Sequence, residues 1–184
     1  LQQAIVRLGR RKVGALAQQI KLMNALVRPD ESLFDLRRFW EHSAGCALIC
    51  DRLYKEELVT LDEEIDFNAY WIGALMHDSG KLVLGFFFWE HFEEILKHMA
   101  SAECTFREAE QELCADANHE FLGQLLLFKS NAGEQLVKAV ASHHATGLTP
   151  GVLGQLIHVS SNLCKDIGKG YLEDEPVIYS AEDL

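Results

Sequence analysis

Phe67-Asn68-Ala69-Tyr70-Trp71-Ile72-Gly73-Ala74-Leu75-Met76, followed directly by His77-Asp78-Ser79-Gly80-Lys81, is the stretch on which the reading of this chain turns. Its first ten residues are nearly all apolar, which predicts a helix buried around most of its circumference. The next five are polar residues and glycine, so a buried helix delivers a polar cluster at its C-terminal end. Upstream, the acidic run Leu61 to Asp66 reads as a loop and helix start. Before it, Leu36, Phe39, Trp40, Ala44, Ala47 and Leu48 recur at helical spacing through to Leu53, with Ser32 as the expected cap and Asp35 three residues on. His42 rides on this helix.

The same period continues towards both ends of the chain. Ala4, Ile5 and Leu8 predict a short helix, Gly9 a break, and Val13, Leu16, Ala17, Ile20 and Met23 a longer helix that ends before Arg28-Pro29. Downstream, Leu82 to Trp89 has the apolarity of a short strand, but Val83 is its only β-branched residue. Phe92, Ile95, Leu96 and Met99 then extend a helical pattern, so a helix is expected there. Further helices are expected over Thr105 to Leu113, His119 to Phe128, Gly133 to His144 and Pro150 to Leu163. With only three prolines and little alternation, the fold class expected is all-α. Residues 1–172 read as a single helical domain lacking its upstream part, and 173–184 as an acidic tail.

Composition narrows the function classes. The 184 residues carry 17 Lys and Arg against 28 Asp and Glu, a net charge of −11, and 48% of them are hydrophobic. A nucleic acid or an anionic membrane surface is therefore an unpromising partner, because both require clustered basic residues. No apolar run approaches the roughly 18 residues of a membrane span, and Leu1 to Gly9 lacks the pattern of a signal peptide, so a cytoplasmic setting is expected. The five cysteines are odd in number and scattered, which argues against a disulfide scaffold. Cys46 and Cys50, four residues apart on one helix, read as small core residues.

The chemistry lies with histidine. His42 sits on one predicted helix, His77-Asp78 ends a second, His119 begins a third and His143-His144 ends a fourth. Helix-borne imidazole and carboxylate donors suit Zn²⁺, Mn²⁺ or iron. Lone His91, His98 and His158 read instead as surface or hydrogen-bonded residues. A hydrogen-bonded polar core without any metal is also compatible with this spacing.

Trp40-Glu41-His42-Ser43, Gly73-Ala74-Leu75-Met76-His77-Asp78-Ser79-Gly80-Lys81-Leu82-Val83-Leu84, Asn118-His119-Glu120-Phe121-Leu122-Gly123 and Ser142-His143-His144 resemble the successive motifs of the HDOD domain, the bacterial HD-related output domain. Ala4-Ile5-Val6-Arg7-Leu8-Gly9 is similar to the segment ahead of that family's core. The resemblance implies an HD-superfamily helical bundle, related to metal-dependent phosphohydrolases. By the same resemblance His42, His77 and Asp78 stand at the first three ligands of the HD core. Ser161 stands where the fourth ligand, an Asp, would be, and Asp166 lies more than a helical turn further on. Related HD-GYP phosphodiesterases place further ligands at the positions of His119, His143 and His144, so a second metal position with Asp78 remains complete. Their Gly-Tyr-Pro sequence is absent, the chain reading Ala145-Thr146-Gly147-Leu148-Thr149-Pro150.

The leading expectation is a non-catalytic regulatory output domain of bacterial signal transduction. It would retain a site for a divalent metal (iron, manganese or zinc) and engage a protein partner or an attached signalling domain. The alternative is a metal-dependent HD-superfamily phosphohydrolase acting on a nucleotide or cyclic nucleotide, with Asp78 between the metals and Lys81 as a phosphate contact. Lys81 reads equally well as a solvated or helix-terminal lysine. Phe86-Phe87-Phe88-Trp89 is expected to be largely buried beneath another helix.

Overall fold

Helical spacing becomes helix throughout the described part of the chain. A computed structural model describes residues 34–59, 65–145 and 151–172, with Gly14 and Val177, and among these every regular element is helical. The expected helices before residue 28, the cap at Ser32, most of the loop at 61–66 and the tail beyond 172 lie outside the described residues, apart from Gly14, which is helical, and Val177. None of the described helices is long and apolar enough to cross a membrane.

Helix α1 (Leu36–Lys55) starts at Asp35, whose carboxylate accepts from the Arg38 N–H at 2.9 Å. Helix α2 (Phe67–Met76) is capped by Asp66 in the same manner, through the Asn68 N–H at 2.8 Å. The chain then turns through His77 and Asp78 into α3 (Ser79–Phe87). The expected continuous helix through Trp89 is broken at Phe88, which adopts φ −131° and ψ 44° before α4 (Trp89–Ala102) begins. Helix α5 (Phe106–Cys114) opens with a reciprocal box in which Thr105 and Glu108 cap one another's backbone. A short 3₁₀ turn, Ala115–Ala117, leads to α6 (His119–Lys129), capped by Asn118. Helix α7 (Glu134–Ala141) stops three residues short of the expected His144, because Ser142 leaves the helical region at φ −138°. Helix α8 (Gly151–Cys164) runs into a wider π-type turn, Lys165–Lys169.

Three apolar clusters surround the interior. Tyr70, Trp71, Ala74 and Leu75 of α2 pack with Cys46, Ala47 and Cys50 of α1 and Leu153, Leu156 and Ile157 of α8. Leu82 and Leu84 of α3 pack with Phe34, Phe39, Phe92, Ile95 and Phe106. Met76 joins Leu127, Leu136, Val137 and Val140 beneath α6 and α7. Each fully enclosed aromatic or leucine of this set contributes about 2 kcal/mol through removal from water. Cys46 and Cys50 are core residues, as expected. The aromatic run departs from expectation: Phe87, Phe88 and Trp89, at the break between α3 and α4, are 52, 54 and 41% exposed.

One glycine sets the separation of α3 and α6. A Cβ placed on Gly80 would lie 1.9 Å from the His119 carbonyl oxygen, so the two helices meet backbone to backbone, immediately beside Asp78 and His119. Because the obstacle is backbone, Gly80→Ala requires the helices to part. It is expected to lower unfolding free energy by about 2–3 kcal/mol, as overpacking does, measured by urea denaturation; a loss within error of zero would show that the contact is not tight.

Candidate metal centre

Helix termination orients the histidines. The final carbonyls of a helix lack intrahelical partners. Near the end of α2 the Ala74 carbonyl accepts from His77 Nδ1 at 2.8 Å, and near the end of α7 the Val140 carbonyl accepts from His143 Nδ1 at 2.8 Å. In both cases the imidazole lies three residues after the carbonyl that holds it. His42 Nδ1 donates to the Lys169 carbonyl at 2.9 Å, tying α1 to the turn after α8. His119 Nδ1 donates to the Glu110 carboxylate, and its backbone N–H donates to the other oxygen of that carboxylate at 2.7 Å. Carbonyls and carboxylates only accept, so in all four rings Nδ1 carries a hydrogen, which in a neutral imidazole leaves Nε2 as the nitrogen with the lone pair. This is the tautomer of a metal-ligating histidine with an oriented outer nitrogen.

The four Nε2 atoms converge on Asp78, which is 1% exposed. Its Oδ2 faces His77 Nε2 at 3.4 Å and His42 Nε2 at 3.8 Å, while Oδ1 faces His119 Nε2 at 3.5 Å and His143 Nε2 at 3.6 Å. His144 Nε2 lies 3.0 Å from His119 Nε2. All six sequence-predicted ligands therefore meet in one place, in two groups that share Asp78: His42 and His77 on one side, His119, His143 and His144 on the other. A third group, His42 with Cys46 and Cys164, lies behind the first.

The two sides differ in what already satisfies them. On the His42 and His77 side, Asp78 Oδ2 accepts from Lys81 Nζ at 3.0 Å, and Ser161 Oγ stands 3.4 Å from His42 Nε2 and 3.3 Å from His77 Nε2. Lys81 is 1% exposed and lies over the Phe106 ring, so the solvated lysine is ruled out. Asp166 is exposed and takes no place at the centre. On the other side, Asp78 Oδ1 and His143 Nε2 are buried without a hydrogen-bond partner among the described residues. A carboxylate oxygen and an imidazole nitrogen enclosed side by side without a partner are costly unless a proton or cation lies between them. Donors bound at about 2.1 Å around a tetrahedral ion stand about 3.4 Å apart, close to the separations of Oδ1 from His119 and His143. The residues present thus fit a divalent cation on this side.

Burial by itself would raise the Asp78 carboxyl, but the neighbouring charges, the Lys81 ammonium first among them, outweigh it and hold the group well below the usual carboxylate range. Burial is the main reason why His77 and His144 are held well below the ordinary histidine value. Asp78 is consequently anionic and these imidazoles neutral near pH 7, the forms in which each ligates a metal.

One supporting residue escaped the sequence reading. Glu110 lies in an acidic amphipathic stretch that gives no sign of facing inward; its signal was its place one turn after Phe106, on the helix's apolar stripe. Of the two alternatives open for His158, surface or hydrogen-bonded, the structure shows the second: Nδ1 donates to the His143 carbonyl at 2.9 Å, bracing the His143-His144 turn. His98 pairs with Glu112 at the surface.

The profile of the HDOD domain family matches residues 1–146. Two solved structures share the fold. One, an HDOD domain protein of unknown function from Geobacter sulfurreducens, superposes with a TM-score of 0.69 at 19% identity, over 88% of this chain and 52% of that one. The other, a provisionally named phosphohydrolase from Shewanella amazonensis SB2B, gives 0.71 at 20% identity, over 92% and 60%. This chain therefore spans little more than half the length of either. Comparison with curated proteins finds no match.

A histidine kept neutral by burial gains its proton only on unfolding, so below about pH 6.5 the unfolded chain binds more protons than the native one and stability rises with pH through that window. His77, fully enclosed, carries most of the effect, and the partly exposed His144 less. In the presence of chelator, unfolding free energy is expected to fall on the order of 2 kcal/mol between pH 7.5 and 5.5. Equal stability at the two values, by urea denaturation, would contradict the assignment of neutral buried imidazoles.

Proposed function

The chain belongs to the HDOD domain family, and from that premise we propose that it is a non-catalytic regulatory output domain of bacterial signalling that holds one divalent cation on Asp78, His119, His143 and His144. The asymmetry of Asp78 carries the proposal. Its Oδ1, without a hydrogen-bond partner, faces the three-imidazole side, whereas Oδ2 is bonded to Lys81 and shares its side with a hydroxyl in place of a second carboxylate. A neutral hydroxyl is a weak ligand beside a carboxylate, and an ammonium 3.0 Å from Oδ2 opposes a second cation there. Hydrolysis of a phosphoester by two metals needs both positions.

A bound cation supplies positive charge that cross-links its ligands. The ligands come from three separate places, the α2–α3 turn, the start of α6 and the turn after α7, so occupancy couples their positions. The helical surface around them is the natural reporter to a protein partner or an attached signalling domain.

A second reading, a metal-dependent phosphohydrolase acting on a nucleotide or cyclic nucleotide, draws on one observation: the two oxygens of Asp78 divide two sets of imidazoles, as a carboxylate shared by two metals would. In that case Asp78 and Lys81 belong to the active site.

Elemental analysis of protein purified without chelator is expected to find about one equivalent of iron, manganese or zinc per chain, the count of one complete ligand set, lost in Asp78→Ala. Ser161→Asp is expected to raise the count towards two. No phosphodiester turnover is expected from the unaltered chain. Turnover that disappears in Asp78→Ala would replace this proposal with the hydrolase, and an intact fold without metal would overturn both.

A further inference from the structure

We propose that Glu110 is a positioning residue of the metal centre, which fixes His119 with Nε2 towards Asp78 and raises the donor strength of that imidazole. The inference rests on the reading of Asp78, His119, His143 and His144 as a cation site. Glu110 is fully buried in α5, while its neighbours Glu108 and Glu112 on the same helix are exposed. Burying a carboxylate is costly unless it is bonded, and both of its oxygens are given to one residue: Oε1 accepts the His119 backbone N–H and Oε2 accepts Nδ1–H.

The other imidazoles facing Asp78 lean on neutral carbonyls, Lys169 for His42, Ala74 for His77 and Val140 for His143. His119 alone among these four leans on a carboxylate. A negative partner at Nδ1 makes Nε2 more basic and binds the ring in one tautomer, the arrangement of a carboxylate–histidine–metal triad. Glu110 also meets the first N–H of α6, so a purely structural role, as an anion at the start of that helix, is the competing explanation. The two differ in what they change, because a helix-start anion affects folding and a positioning residue affects the cation.

Co²⁺, followed by its visible absorption, separates them in the full chain. Glu110→Gln keeps an oxygen acceptor and removes the charge, and is expected to weaken Co²⁺ binding by roughly 10- to 100-fold. In the His119→Ala background the same change is expected to leave the remaining Co²⁺ affinity unaltered, since its effect passes through that ring. Unchanged affinity in Glu110→Gln, or an equal loss in both backgrounds, overturns the inference while leaving the cation site standing. A wild type that takes up no Co²⁺ overturns the site and the inference together. If Glu110→Gln does not fold, ¹⁵N chemical shifts of the unaltered Zn²⁺-free protein give the answer: His119 is expected to be protonated at Nδ1, and protonation at Nε2 overturns the inference.

Discussion

A single buried carboxylate organises this molecule. Asp78 sits in the interior with almost no solvent contact, and an anion in that position needs compensation from every direction. Lys81 supplies a full charge from the first turn of α3, and four imidazoles present their Nε2 atoms around the carboxylate. Those groups come from α1, α3, α6 and the turns that follow α2 and α7, so the position of Asp78 constrains five separate pieces of chain. The four nitrogens crowd together at the centre, and the apolar clusters outside them hold the arrangement closed.

Much of the precision follows from where helices stop. Helices α2 and α7 each end near a carbonyl that the following histidine captures through Nδ1, so the same local event ends the helix and aims the ring. The backbone contact at Gly80 brings α3 against α6, which places Asp78 and His119 side by side. At the remaining corner Ser161 meets His42 and His77 with a hydroxyl. That hydroxyl and the Lys81 ammonium on Oδ2 occupy this side with hydrogen bonds and a positive charge, which leaves little to draw in a cation. Charge and hydrogen-bond supply, rather than the number of histidines, separate the two sides.

The helices and the six convergent residues were legible in the sequence because apolar spacing reports burial and because the His-Asp motif ends a helix that is apolar all round. Ser161 drew notice only through the family resemblance, and in the structure its hydroxyl meets both His42 and His77. The break at Phe88 was not legible, since it carries neither glycine nor proline and lies in an unbroken apolar run; Phe87, Phe88 and Trp89 are exposed at that break. Lys81 looked as much like a surface residue as an interior one, because nothing local says that an ammonium will be enclosed over Phe106. Glu110 was hidden among acidic neighbours that are all solvated. Both are charges enclosed by residues distant in sequence, Phe106 over Lys81 and His119 at Glu110, and local pattern does not carry that information.

The most direct test of one cation beside Asp78 is anomalous diffraction from crystals of this chain grown with Mn²⁺ or Zn²⁺, collected on both sides of the metal's absorption edge. The account predicts one strong peak, enclosed by Asp78, His119, His143 and His144. A peak between His42, His77 and Ser161 alone, or no peak within reach of Asp78, would contradict it.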